Sequence, residues 1–195
     1  MNVKEYVQKE RYKIGGWCTD LKQEWLMNTC LETDIQTVIE IGVYQGKSCL
    51  AMASALKSKK QGVIHAIDAY NLDLATENGM DVEAQFHQDD IESIFRDHIK
   101  RLRVAKYINF PGPRSSEQAV AQFKDSCADM IHIDANHSEE SSMADLMRWF
   151  PKLKTGGVLV LDDTNWPTVQ KAKLWALNSC SEVLIEAPEW MGFRK

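Results

Sequence analysis

Apolar positions along the chain alternate between two periods. Four short runs rich in β-branched residues, Thr37 to Ile41, Val63 to Asp68, Met130 to Asp134 and Val158 to Asp162, are apolar almost without interruption. Strands buried on both faces read this way, and such strands belong to parallel sheets covered by helices on either side. Between the runs the period lengthens. Cys49, Met52, Ala53 and Leu56 keep the i, i+3, i+4, i+7 spacing of a helix with one apolar stripe, as do Met143, Leu146, Met147 and Phe150. Val120, Phe123 and Cys127 predict a further helix ahead of the third run, with Tyr107 to Phe110 as a weaker strand before it.

Strand and helix alternation of this kind predicts an α/β fold with a Rossmann-like, doubly wound, mostly parallel sheet. Near the carboxyl end, Glu182 to Glu186 and Met191 to Arg194 are strand-like, and the Pro188 turn between them is too short for a crossover helix. A C-terminal antiparallel hairpin is expected there. Val3 to Leu31 predicts one or two helices, and Leu72 to Arg103 is polar at first and helical later. Both segments are candidates for covering a site. A length of 195 residues suits one core. The expected organisation is a single domain over 1–195, with a helical segment over 1–35 and the Rossmann-like core over 36–195.

Charge and cysteine usage narrow the function. The chain carries 23 Lys and Arg against 28 Asp and Glu, a net −5, and the basic residues are scattered. Nucleic acid is therefore not an expected partner. The amino terminus lacks an apolar stretch and no segment reaches the length of a membrane span, so neither a membrane nor a secretory route is expected and the cytoplasm is the expected location. Cys18, Cys30, Cys49, Cys127 and Cys180 lie far apart without a CxxC pair. This spacing argues against a disulfide framework or a zinc site.

The acids carry the chemistry. Glu40 lies near the end of the first run, Asp68 ends the second, Asp134 the third, and Asp162 with Asp163 the fourth. A single Asp at a strand end is equally well a helix cap. Four strands agreeing place carboxylates along one sheet edge, where open α/β sheets bind ligands. Carboxylates crowded there call for something positive or hydrogen-bonding between them, and a ribose or a metal ion would serve.

Glu40-Ile-Gly-Val-Tyr-Gln-Gly46 follows a strand and opens a helix, where glycines let a ligand approach the backbone. Gly46-Lys47-Ser48 copies the end of a phosphate-binding loop, but that loop needs four residues between its glycines and only Val43, Tyr44 and Gln45 stand here. A nicotinamide-binding turn wants a second close glycine where Tyr44 stands. Asp68 is placed to accept hydrogen bonds from both hydroxyls of a ribose, and Ala69 and Tyr70 to flank an adenine.

Through Glu40 to Gly46, Ile67-Asp68, and Leu153-Lys-Thr-Gly-Gly157 before Val158 to Asp163, the chain resembles class I S-adenosylmethionine-dependent methyltransferases. Ile131-His-Ile-Asp-Ala-Asn-His137 followed by a helix, and then Asp162-Asp163, is similar to the metal-dependent macrocin O-methyltransferase and cephalosporin hydroxylase-like group. The resemblance implies S-adenosylmethionine as cofactor, touched by Glu40, Gly42, Val43, Gly46, Ser48, Asp68, Ala69, Ser115 and Asp134. It implies a divalent metal, by preference Mg2+, on Asp134, Asp162 and Asp163, gripping a hydroxylated small-molecule acceptor such as a sugar. Asp134 and His137 are the implied catalytic residues, with His137 as general base. Asn136 stands where some relatives carry a carboxylate base, and Tyr44 replaces the middle glycine.

A homo-oligomer is left open. Trp17, Trp25 and Trp190 read as core aromatics before pocket linings, whereas Trp166 follows the acidic pair in a loop that faces the acceptor. Two other readings stay in play: a catalytically inactive S-adenosylmethionine-binding protein, and an NAD-dependent oxidoreductase.

Overall fold

The computed structural model describes residues 3–32, 34–71 and 90–195. In chain order the elements are α1 (Val3–Lys9), α2 (Asp20–Glu32), β1 (Thr37–Ile41), α3 (Lys47–Lys59), β2 (Val63–Ile67), α4 (Ile91–Leu102), β3 (Ile108–Asn109), α5 (Ser116–Val120), β4 (Ala128–Ile133), α6 (Glu139–Trp149), β5 (Leu153–Leu161), α7 (Gln170–Ser179), β6 (Glu182–Glu186) and β7 (Met191–Arg194). The strands form one sheet in the order β3-β2-β1-β4-β5-β7-β6. All neighbours run parallel except β7, which is antiparallel to both β5 and β6. The expected mostly parallel sheet and C-terminal antiparallel hairpin are both present.

Strand alternation divides the core in two. Val38 of β1 and Met130 of β4 face one side, packed with Leu26 of α2, Leu50 and Met52 of α3, and Phe95 of α4. Ile39, Ile131 and Leu159 face the other, packed with Leu146 and Trp149 of α6 and Ala172 and Ala176 of α7. Helix α3 is buried all round until its last turn: every residue from Ser48 to Leu56 is buried, because the sheet covers one side and α2 packs on another. The chain winds outward from β1 to β3 and then returns to β4 on the opposite side of β1. Strand order thus reverses between β1 and β4, which opens a crevice at their carboxyl ends.

Local departures from the periodicity have local causes. The helix expected through Val120, Phe123 and Cys127 stops at Val120. Phe123 N bonds Val120 O at 3.1 Å in a tighter turn, Ser126 adopts a left-handed φ of 53°, and Cys127 N pairs with Lys152 O at 2.9 Å on entering the sheet. In α6 the stripe is narrower than the spacing suggests, since Leu146 and Trp149 are buried while Met147 is half exposed. Strand β5 begins at Leu153, so Gly156 and Gly157 lie within it and not ahead of it. Helix α4 supplies the helical half of the segment from Leu72 to Arg103, whose first part, residues 72–89, lies outside the described residues. Among the described residues no helix is long and apolar enough to cross a membrane. All five cysteines are free thiols.

Candidate functional site

The crevice has two halves. The first is the turn between β1 and α3. Gly42 turns the chain at φ 84°, and a Cβ there would run into the backbone carbonyl of Asp134, so only glycine lets the turn lie against the end of β4. Gly46 caps α3 at φ 89°, where a Cβ would come within 2.5 Å of the Phe95 ring. Between them Tyr44 accepts a left-handed φ of 52°. The turn is held by Asp68: its Oδ2 accepts from Val43 N at 2.7 Å and Tyr44 N at 2.9 Å, and its Oδ1 from Tyr70 N at 2.8 Å. Burial raises the Asp68 carboxyl, and these backbone N–H groups offset only part of that.

The other residues proposed for cofactor binding gather round this turn. Ala69 follows Asp68 and is partly exposed. Arg114 N donates to Asp68 O at 2.9 Å, which brings Ser115 alongside, where its hydroxyl caps α5 by accepting from Gln118 N. Glu40 is wholly buried and supports the turn from beneath: its Oε1 accepts from Ser48 Oγ at 2.5 Å and from His132 Nδ1 at 2.9 Å. The N-terminal segment lies over the turn as well. Gly15 N donates to Gln45 Oε1 at 3.1 Å, Lys47 Nζ donates to Gly16 O at 2.9 Å, and the exposed ring of Trp17 tilts against Tyr44 with centroids 5.2 Å apart.

The second half lies at the ends of β4 and β5 and is ionic. Asp134 follows β4, and Asp162 and Asp163 follow β5, where Asp163 takes a left-handed φ of 50°. Aspartate tolerates this region better than most residues, and the turn points its side chain away from that of Asp162. His137 Nε2 lies 2.8 Å from Asp163 Oδ2 and 3.8 Å from Asp134 Oδ1. Burial alone would lower this imidazole, but the two carboxylates push it up to about 10. Trp166 covers the ring with centroids 5.0 Å apart. Trp25 and Trp190 instead pack on each other, centroids 5.3 Å apart, as core aromatics do.

Two residues that sequence reasoning missed complete this half. Lys22 of α2 places its Nζ 3.2 Å from Asp134 Oδ2 and in contact with Asp162 Oδ2, with 2% of its side chain exposed. His132 is wholly buried, its Nε2 3.9 Å from Asp134 Oδ2 and 3.8 Å from Asp162 Oδ2. Burial would raise the Asp134 carboxyl, but Lys22, His137 and His132 outweigh it and hold the group well below the usual carboxylate range. His132 had a signal in the sequence, a polar residue inside an otherwise apolar strand. Lys22 had none, standing in a polar stretch of an N-terminal helix.

The structure does not hold the expected metal-binding trio together. His132, Asp134 and Asp162 form one group and Asp134, His137 and Asp163 another. Asp163 turns to His137, and Asp162 turns to Lys22. A Mg2+ ion would sit about 2.0–2.1 Å from each carboxylate oxygen. That is space the Lys22 ammonium takes. A divalent and a monovalent cation about 3 Å apart repel by roughly 10 kcal/mol even at an effective dielectric constant of about 20. In this arrangement Asp134 Oδ2 and Asp162 Oδ2, which hold the ammonium, do not fit a divalent ion.

A family model described as a methyltransferase domain matches residues 39–164, from β1 through the acidic pair. No curated protein sequence matches the chain. Among solved structures, an O-methyltransferase from Bacillus cereus in complex with S-adenosylhomocysteine is 17% identical, with 99% of this chain and 90% of that one covered at a TM-score of 0.62. The O-methyltransferase NovP is 15% identical, with 89% and 79% covered at 0.70. An S-adenosylhomocysteine-bound methyltransferase of Podospora anserina is 13% identical, with 98% and 84% covered at 0.67. Identities this low establish a shared fold.

Proposed function

Because the chain belongs to the methyltransferase-domain family, as a class I S-adenosylmethionine-dependent methyltransferase, we propose that it methylates a hydroxyl group of a sugar or other small molecule. The observation that carries this reading is the pairing of His137 with Asp163 beside Asp134, at the carboxyl ends of β4 and β5 next to the glycine turn. The cofactor lies along the turn, against Gly42, Val43, Gly46 and Ser48, with its ribose toward Asp68 and its adenine between Ala69 and Ser115. The acceptor enters beside Trp166, where His137 is partly exposed.

The reaction breaks the sulfonium S–CH3 bond and forms an O–CH3 bond. The breaking bond's electron pair stays on sulfur, giving a neutral thioether, and the hydroxyl proton passes to His137. Neutral His137 accepts it, and Asp163 and Asp134 stabilise the imidazolium that results. The chain contributes chiefly position and charge. The rival use of the same acids, a divalent ion on Asp134, Asp162 and Asp163 that lowers the pKa of the acceptor hydroxyl, is opposed by the place of Lys22.

Calorimetric titration with S-adenosylhomocysteine, followed by transfer of labelled methyl from S-adenosylmethionine to a panel of hydroxylated small molecules, tests the proposal. Saturable binding and labelled product are expected. Binding without transfer to any acceptor would favour an inactive cofactor-binding protein. Absence of binding would overturn the proposal.

A further inference from the structure

The centre between β4 and β5 contains a cation that belongs to the chain itself. The Oδ2 atoms of Asp134 and Asp162 both face Lys22 Nζ, which reaches them from α2 with 2% of its side chain exposed. His132 stands beside them, wholly buried, with Nδ1 2.9 Å from Glu40 Oε1 and Nε2 3.9 and 3.8 Å from the same two carboxylate oxygens. Two carboxylate oxygens thus converge on one buried ammonium, which offers each of them a donor and the opposite charge.

We propose that Lys22 is the resident cation of this centre, standing where a divalent metal would otherwise be bound, so that methyl transfer proceeds without a metal ion. The lysine is not free to swing away. Helix α2 packs on the buried α3. Its first turns are tied down as well: Arg11 Nη1 donates to Glu24 Oε1 at 2.9 Å, Arg11 also pairs with Asp20, and Gln23 Nε2 donates to Cys18 O at 3.1 Å. A metal ion would have to expel a buried ammonium into a closed helix interface. Lys22 is therefore a positioning residue: it neutralises Asp134 and Asp162 and leaves Asp134 Oδ1, His137 and Asp163 to the acceptor. The inference rests on reading this crevice as the methyl-acceptor site, but its test makes no use of methyl transfer.

The test is titration of Mn2+ into the wild-type protein and into Lys22→Ala and Lys22→Met, with the free ion followed by electron paramagnetic resonance. Circular dichroism and S-adenosylhomocysteine titration check that each variant is folded. The wild-type protein should leave millimolar Mn2+ free. Lys22→Ala should take up one ion at least tenfold more tightly, and Asp134→Asn in that background should abolish the uptake. Lys22→Met, which refills the volume without charge, should bind less tightly than Lys22→Ala. One ion bound by the wild type, or Mn2+ affinity unchanged in a folded Lys22→Ala, overturns the inference. If neither variant folds, the wild-type titration decides, since uptake of one ion there overturns it and absence of uptake supports it. Failure of S-adenosylhomocysteine to bind would count against the proposed function and leave the Mn2+ result standing.

Discussion

The two halves of the crevice hold acidic residues by different means. On the β2 side, Asp68 is satisfied by three backbone N–H groups, two of them from the turn it faces. On the β4 and β5 side, Asp134, Asp162 and Asp163 are met by side chains, an ammonium and an imidazole. Backbone amides stay where the fold places them, so the first half is preorganised for a cofactor of fixed shape. Side-chain charges can change their proton count and their partners, which suits the half where a proton must move. Geometry is settled on one side and charge is managed on the other.

Breaking the ionic half should have the largest effect. His137→Ala should lower turnover by about 10²–10⁴-fold, the usual contribution of a positioned base, with S-adenosylhomocysteine affinity nearly unchanged. A parallel loss of affinity would show that the halves are not separable. On the backbone side, Gly42→Ala should cost about 3 kcal/mol in urea denaturation, from a strained φ and a methyl driven against the Asp134 carbonyl. Stability close to wild type would show that the turn yields more easily than its contacts suggest.

A milder probe of the ionic half is pH. Because the carboxylates push His137 up to about 10, its neutral form grows with rising pH, and turnover should climb by about tenfold per pH unit through the neutral range before levelling near that value. A flat profile would assign the proton to another group. The smallest effect is expected away from the crevice. Near the amino end of β4, Asp129 accepts from Gln36 N, Thr37 N and Lys154 Nζ. Burial opposes its ionisation, but Lys154 and the two amides outweigh burial and lower its pKa. A lowered carboxyl stabilises the fold above the ordinary aspartate range and loses that contribution as pH falls through it. Asp129→Asn should therefore cost about 1 kcal/mol at neutral pH and less in acid, without altering catalysis.

How much was legible in the sequence follows the same division. The strands of the parallel core and the turn from Glu40 to Gly46 could be read because their determinants are local: apolar runs, and glycines at fixed offsets from a strand end. The acids could be read because each ends or follows its strand. What joins them could not. Asp163 parts from Asp162 because the backbone turns left-handed between them, and no periodicity reports that. Lys22 lies in the polar first turn of α2, far from every motif, and only the packing of α2 on α3 brings it into the crevice. The helix drawn through Cys127 failed for a related reason, since Cys127 N enters the sheet by pairing with Lys152, a distant partner.

Lys22 and Asp134 are separated by 112 positions, and Asp162 lies further on. During synthesis α2 therefore emerges well before either of its anionic partners exists, and contacts of such range form late in folding. Until β4 and β5 are in place, α2 has its apolar contacts with α3 but no counter-charge for Lys22. The N-terminal segment should then lock down last, after the sheet that it covers. Pulsed hydrogen exchange during refolding would report this as amides of α2 gaining protection after those of β1 and β4. Protection in that order would make the ion pair that fills the crevice the mark of a chain that has finished assembling.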